Sequence, residues 1–125
     1  MNDEIIYRYT RAQALADGFQ VDVTATAKEA GIIYPVFLTR LVYEAYVVVL
    51  PGIEGQDMAG RLWDILWMLR HAIRRAQSGQ TRLPFALYVR NDNRSDRLIK
   101  LVAHCGPLDI DNPAPAITVM MPDED

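Results

Sequence analysis

The stretch DMAGRLWDILWMLRHAIRRAQ, from Asp57 to Gln77, keeps an unbroken helical period and limits the folds open to this chain more than any other segment. At roughly 100° per residue, Met58, Leu62, Ile65, Leu66, Leu69, Ala72, Ile73 and Ala76 fall on one apolar arc that must be buried. Asp57, Arg61, Asp64, His71 and Arg75 fall on the opposite side, which is expected to face water, with Asp57 and Arg61 spaced for an i, i+4 ion pair. Between the two runs a third strip, Trp63, Trp67, Arg70 and Arg74. Trp and Arg dominate interface hot spots, so this strip is the expected contact surface for a protein partner or a second copy. The competing expectation is structural: the indoles cover a sheet edge and the arginine stems lie over them.

A chain of 125 residues is expected to form a single domain, 1–125, able to bury roughly two thirds of its unfolded surface. Half of its residues are hydrophobic and 23% are charged, which excludes a disordered chain. Its net charge of −3 lacks the basic field of a nucleic-acid binder and the dense acidity of a DNA mimic. The lone Cys105 excludes an internal disulfide, and with only His71 and His104 beside it there is no ligand set for structural zinc. The start MNDEIIYRY is acidic where a signal peptide is basic, and no apolar run approaches membrane length, so a cytoplasmic location without membrane contact is expected.

Along the chain, Glu4 to Tyr9 is β-prone, and Thr10 with Gln13 has the spacing of a capping box that opens a short helix, Arg11 to Asp17, closed by Gly18. Phe19, Val21 and Val23 alternate with polar residues as in a half-buried strand. Thr24 or Thr26 is expected to cap a second short helix that runs through Ala30 and is stopped by Gly31. Pro35 and the stripe Phe37, Leu38, Leu41, Val42 and Ala45 predict a medium helix from Pro35 to Val47. After the central helix, Leu83 to Arg90, Leu98 to Cys105 and Ala116 to Met121 read as strands. The polar tip NDNRSDR separates the first two, and an acidic loop punctuated by Gly106, Pro107, Pro113 and Pro115 separates the last two. The result is an α+β, two-layer domain. Its antiparallel sheet, the C-terminal three-strand meander plus an N-terminal strand, packs against a long central helix and shorter helices.

No motif for a metal, cofactor or nucleotide is present, and no catalytic set is assigned. Adjacent strand residues point to opposite faces, so His104 and Cys105 cannot pair as base and thiol, and Cys105 is expected to be a buried small hydrophobe. Asp92 and Asp96 lack the central glycine and distal glutamate of a calcium loop. Ala27, Ala30, Gly31, Ile32, Phe37 and Arg40 have part of the spacing of a helix-turn-helix, but the would-be reading helix is short of basic residues.

Several phrases together carry a resemblance over nearly the whole chain: YTRAQALADG (Tyr9 to Gly18), VDVT (Val21 to Thr24), GRLWDILWM (Gly60 to Met68), RLPFALYV (Arg82 to Val89), HCGP (His104 to Pro107) and ITVMMPDED (Ile117 to Asp125). The combination resembles a family of small uncharacterised bacterial proteins, a domain of unknown function often encoded on plasmids and other mobile elements. The resemblance implies a cytoplasmic accessory protein of transferable DNA and supplies no activity, catalytic residue or ligand.

The expected role is therefore a non-enzymatic protein that acts through protein–protein contact at Trp63, Trp67, Arg70 and Arg74. One alternative is a small-ligand protein or enzyme whose site assembles only in three dimensions, from such groups as Tyr88, His104, Asp64 and Arg61. The other is a regulator that binds DNA through the partial helix-turn-helix.

Overall fold

A computed structural model describes residues 9–124. In chain order its elements are α1 (Arg11–Ala16), β1 (Gln20–Asp22), α2 (Thr24–Glu29), β2 (Val36–Thr39), α3 (Arg40–Val42) running into one π turn (Tyr43–Val47), α4 (Met58–Arg75), β3 (Arg82–Val89), β4 (Arg97–Asp109) and β5 (Asn112–Met120). The strands form one sheet in the order β1-β2-β5-β4-β3. The β-prone run from Glu4 falls outside the described residues, except for Tyr9, which is in no strand.

Helix α4 forms where its period places it. Asp57 is the N-cap, its carboxylate accepting from the Gly60 N–H at 2.6 Å. Ile65, Leu66 and Leu69 are fully buried and pack with Leu38, Leu101, Ala103, Ile117 and Val119 of the sheet. Each such side chain contributes about 1.5–3 kcal/mol through burial. The capping box also forms: the Gln13 N–H donates to Thr10 Oγ1 at 3.0 Å and the Thr10 N–H to Gln13 Oε1 at 2.8 Å. Gly18 and Gly31 both take positive φ, 77° and 91°, where they close α1 and α2.

The sheet is mixed, which corrects the antiparallel expectation. Strand β5 lies between β4, to which it is antiparallel, and β2, to which it is parallel with Phe37 opposite Thr118. The expected helix from Pro35 to Val47 is also corrected, because Val36–Thr39 is a strand and only Arg40 onward is helical. Val36, Phe37 and Leu38 are all buried, since β2 sits inside the sheet with both faces covered. A strand buried on both faces is a continuous apolar run, which periodicity cannot tell from a helix. With β2 in place of a reading helix, no helix-turn-helix forms here.

Three local expectations are revised as well. Val23, without a side-chain bond, is the N-cap of α2, so neither Thr24 nor Thr26 serves as the cap; the Thr24 hydroxyl instead accepts from the Val36 N–H at 3.1 Å. The stretch from Gly106 to Pro115 is mostly strand, with Pro107 opposite Pro115 and Asp109 opposite Asn112. Cys105 donates its N–H to the Thr81 carbonyl, on the β3 side, so by alternation Pro107 faces away from β5 and loses no ladder bond. Finally, α1 lies on the face opposite α4, where the Arg11 guanidinium stacks 4.1 Å from the Phe37 ring centroid and donates to Thr118 Oγ1 at 3.0 Å. The sheet therefore carries helices on both faces, not the single covering layer of a two-layer domain.

Candidate interaction surface on the central helix

The core arc of α4 points at the sheet, which turns the indole strip outward. Trp63 and Trp67 are 37% and 39% exposed. Their rings stack with centroids 6.0 Å apart and planes at 16°. His71 meets the Trp67 ring edge-on at 5.5 Å, and Arg70 holds its guanidinium carbon 4.9 Å from the Trp67 centroid. Each such aromatic or cation–π contact is worth about 0.5–1.5 kcal/mol. Arg70 is half-buried because its stem lies along Gly31, where an added Cβ would be 3.0 Å from Arg70 Nε. Arg74 is exposed and, among the described residues, makes no hydrogen bond or ion pair, so the structure groups Trp63, Trp67 and Arg70 with His71 and leaves Arg74 apart.

Beside Trp67 lies an open groove of about 280 Å³ between α4 and β3, lined by Asp64, Met68, Leu87, Tyr88 and Leu98 among others. Tyr88 and Leu98 form a cross-strand pair and are 67% and 54% exposed. Sequence reading did not connect them to the indoles, because only the position of β3 at the sheet edge brings them beside α4. Partial burial pushes the Asp64 carboxyl above its ordinary pKa.

Arg61 departs most from expectation. It is 5% exposed instead of facing water, and it forms no ion pair with Asp57. Its Nε donates to the Tyr46 carbonyl at 2.9 Å, Nη1 to the Arg90 carbonyl at 2.7 Å and Nη2 to Asn91 Oδ1 at 2.6 Å. Burial lowers its pKa from the ordinary arginine value. The fork of donors ties α4 to the π turn and to the end of β3, which is a fold-holding role.

Of the four groups considered for an assembled site, Arg61, Asp64 and Tyr88 line one small cavity of about 150 Å³. His104 does not join them. It sits opposite Arg82 at the far end of the β3–β4 ladder, about 20 Å away along the strand. Cys105 is half-buried on the face opposite His104, so no thiol–imidazole pair forms. Asp92 is a turn organiser, accepting from the Arg94 and Ser95 N–H groups at 2.8 and 3.0 Å. Among the described residues no group of three or more His, Cys, Asp or Glu side chains is placed to hold a metal ion. No helix there is long and apolar enough to cross a membrane.

A larger cleft, about 570 Å³, lies elsewhere, between α1 and the β4–β5 turn, with Arg11, Leu15, Asp22, Phe37 and Asp109 among its walls. Two of its charged groups are already engaged in the fold. Arg11 donates to the Leu108 carbonyl, Gln20 and Thr118, while Asp109 accepts from the backbone N–H groups of Arg11 and Ala12.

These features define an α+β protein with a mixed five-stranded sheet and a half-exposed aromatic cluster on its longest helix. The chain belongs to the Family of unknown function (DUF6573), whose model matches residues 1–125. No curated protein and no solved structure matches it.

Proposed function

We propose that this chain is a single-domain, non-enzymatic accessory protein that binds a partner protein through Trp63, Trp67 and Arg70, with Tyr88 and Leu98 extending the contact. The observation that carries the reading is the stacked indole pair, which stays more than a third exposed even though α4 has a full apolar arc with which to dock. Stacking and the Arg70 cover hold the rings in place before binding, so a partner would meet a rigid, amphipathic surface and little side-chain entropy would be lost. Arg74, beyond the cluster, is a rim charge whose expected contribution is to the encounter rate more than to affinity.

A cytoplasmic, bacterial setting and service to a mobile element belong to the same proposal and rest on the resemblance described above. Chemistry at Arg61, Asp64 and Tyr88 is the weaker reading, because Arg61 spends its donors on backbone carbonyls and His104 lies at the other end of the hairpin. The test is capture of partners from bacterial lysate by the wild type, Trp67→Ala and Arg74→Ala, followed by affinity measurement on the recovered partner. Trp67→Ala should weaken binding by about 2 kcal/mol or more and Arg74→Ala by less than about 1 kcal/mol. Equal recovery by all three proteins would refute the surface.

A further inference from the structure

We propose that the partner met by the indole surface is a second copy of this chain, docked helix against helix so that two α4 run antiparallel about a two-fold axis beside Trp67. The inference deepens the reading above and rests on it, because the same side chains make the contact.

Counted from Trp67 at 100° per residue, Ile65, Leu69 and Ala72 fall on the far side of α4, against the sheet, so Trp67 points straight away from the core. Gly60 and Arg74 lie within about 20° of the Trp67 direction. Trp63 and Arg70 stand about 40° and 60° to one side, and His71 and Asp64 about 40° and 60° to the other. Gly60, Asp64, Trp67, His71 and Arg74 thus recur at intervals of four and three, the spacing with which a helix presents one seam to another helix. Four of these five are exposed, and His71 is half-buried.

A two-fold axis lying between the helices and perpendicular to them reverses the second α4 and keeps like flank against like flank. A residue ahead of Trp67 then meets one about as far behind it. On one flank Trp63 meets the partner subunit's Arg70, a cation–π contact of the kind that Arg70 already makes with Trp67. On the other flank Asp64 meets the partner subunit's His71, whose ring N–H donates to the carboxylate. Along the seam Trp67 meets its own symmetry mate, and the exposed Arg74 crosses the partner subunit's Gly60, where no side chain stands in its way.

Charge selects a reversed second copy as the occupant. The outward face of α4 is acidic ahead of Trp67, at Asp57 and Asp64, and basic behind it, at Arg70, Arg74 and Arg75. Arg61, a cation in the acidic half, is turned inward. Reversed copies lay the acidic half of each helix on the basic half of the other and set the two helix dipoles in opposition. A parallel pair would instead bring each Arg74 against its own mate. The face is therefore complementary to itself, as an isologous interface requires.

The experiment is sedimentation of the full chain over a range of concentrations, with tryptophan emission read on the same samples. The wild type should form a dimer, and its emission should move to shorter wavelength as concentration rises, because Trp63 and Trp67 are the only tryptophans in the chain. Asp64 and His71 are about 10 Å apart along the helix, so an exchange between them reports contact between copies. Asp64→Lys and His71→Glu should each raise the dimer dissociation constant by about tenfold or more, and the double exchange should restore it. Circular dichroism checks that each variant stays folded. A dimer indifferent to both single exchanges, or one that the double exchange does not restore, overturns the antiparallel pairing. A wild type that stays monomeric at every concentration overturns the second copy as partner. If Trp67→Ala still loses partners from lysate in that case, the indole surface stands and serves a different protein.

Discussion

Arg61 and Asn91, 30 residues apart in sequence, are joined by a 2.6 Å hydrogen bond from the guanidinium Nη2 to Asn91 Oδ1. Asn91 passes the link on, donating from Nδ2 to the Ala45 carbonyl at 3.0 Å. One buried cation thus closes the end of the π turn, the start of α4 and the mouth of the β3–β4 hairpin around itself. Arg61→Ala would leave the Tyr46 and Arg90 carbonyls without a donor and should cost about 2–4 kcal/mol in urea unfolding. Arg61→Lys should recover only part of this, since an ammonium cannot present the same planar fork. A cost for Arg61→Ala near zero would mean that water replaces the guanidinium and that the link is dispensable.

Gly31 offers a comparison within one chain. Its φ of 91° disfavours any side chain, and a Cβ there would press on Arg70 Nε. Gly79 has a similar φ of 85° but open space around it. Gly79→Ala should therefore cost only the left-handed backbone penalty, about 1–2 kcal/mol, and Gly31→Ala that penalty plus the displacement of Arg70. Tryptophan fluorescence should shift in Gly31→Ala and not in Gly79→Ala, because only the former moves the guanidinium off Trp67. Equal stability and spectra in the two variants would show that Arg70 yields freely.

What the sequence revealed was local. The α4 period, the Thr10–Gln13 box and the turn glycines depend on neighbours within a few positions, and they stand where their spacing put them. The polar tip between β3 and β4 was legible for the same reason, since Asp92 bonds backbone only two and three residues on. Strand β2 was not legible, because its helix-like run of apolar residues reflects cover on two faces, from α1 over Phe37 and from α4 over Val36 and Leu38. Arg61 was read as facing water although at 100° per residue it stands next to Ala72 of the apolar arc, and the carbonyls that draw it inward belong to segments 15 and 29 residues away. The indole strip was visible in the sequence, but the groove beside it was not, because β3 reaches the sheet edge only once β5 has inserted between β2 and β4.

Asp109 anchors α1 to the β4–β5 turn, and its charge should be measurable as acid sensitivity. Its carboxylate accepts from the N–H groups of Ile110, Arg11 and Ala12, which hold its pKa below the ordinary value. A depressed pKa means that the stabilisation is present above the unfolded-state value of about 3.9 and is lost as pH falls through the folded-state value. Asp109→Asn should be less stable than the wild type by a constant margin above about pH 5, and the margin should close below about pH 4. Urea unfolding at a series of pH values checks this. A margin that persists unchanged at low pH would show that the side chain acts by shape and not by charge.

Cys105 tests the burial of the sheet end that meets the C-terminus of α4. It borders a cleft with Tyr34, Ile73, Ala76, Leu83 and Ile117, and burial pushes its thiol above the ordinary pKa. The thiolate is the reactive form, so at neutral pH iodoacetamide should modify the native chain more slowly than the urea-unfolded chain. The sign for stability follows from the same shift. A thiol that is harder to ionise when folded contributes fully below the unfolded value of about 8.5, and the contribution is lost as pH rises through the folded value. Wild-type stability should therefore fall above about pH 8.5 more steeply than that of Cys105→Ala, which lacks the ionisable group. Native alkylation as fast as in urea would contradict the half-buried position and, with it, the closing of the sheet against Ile73 and Ala76.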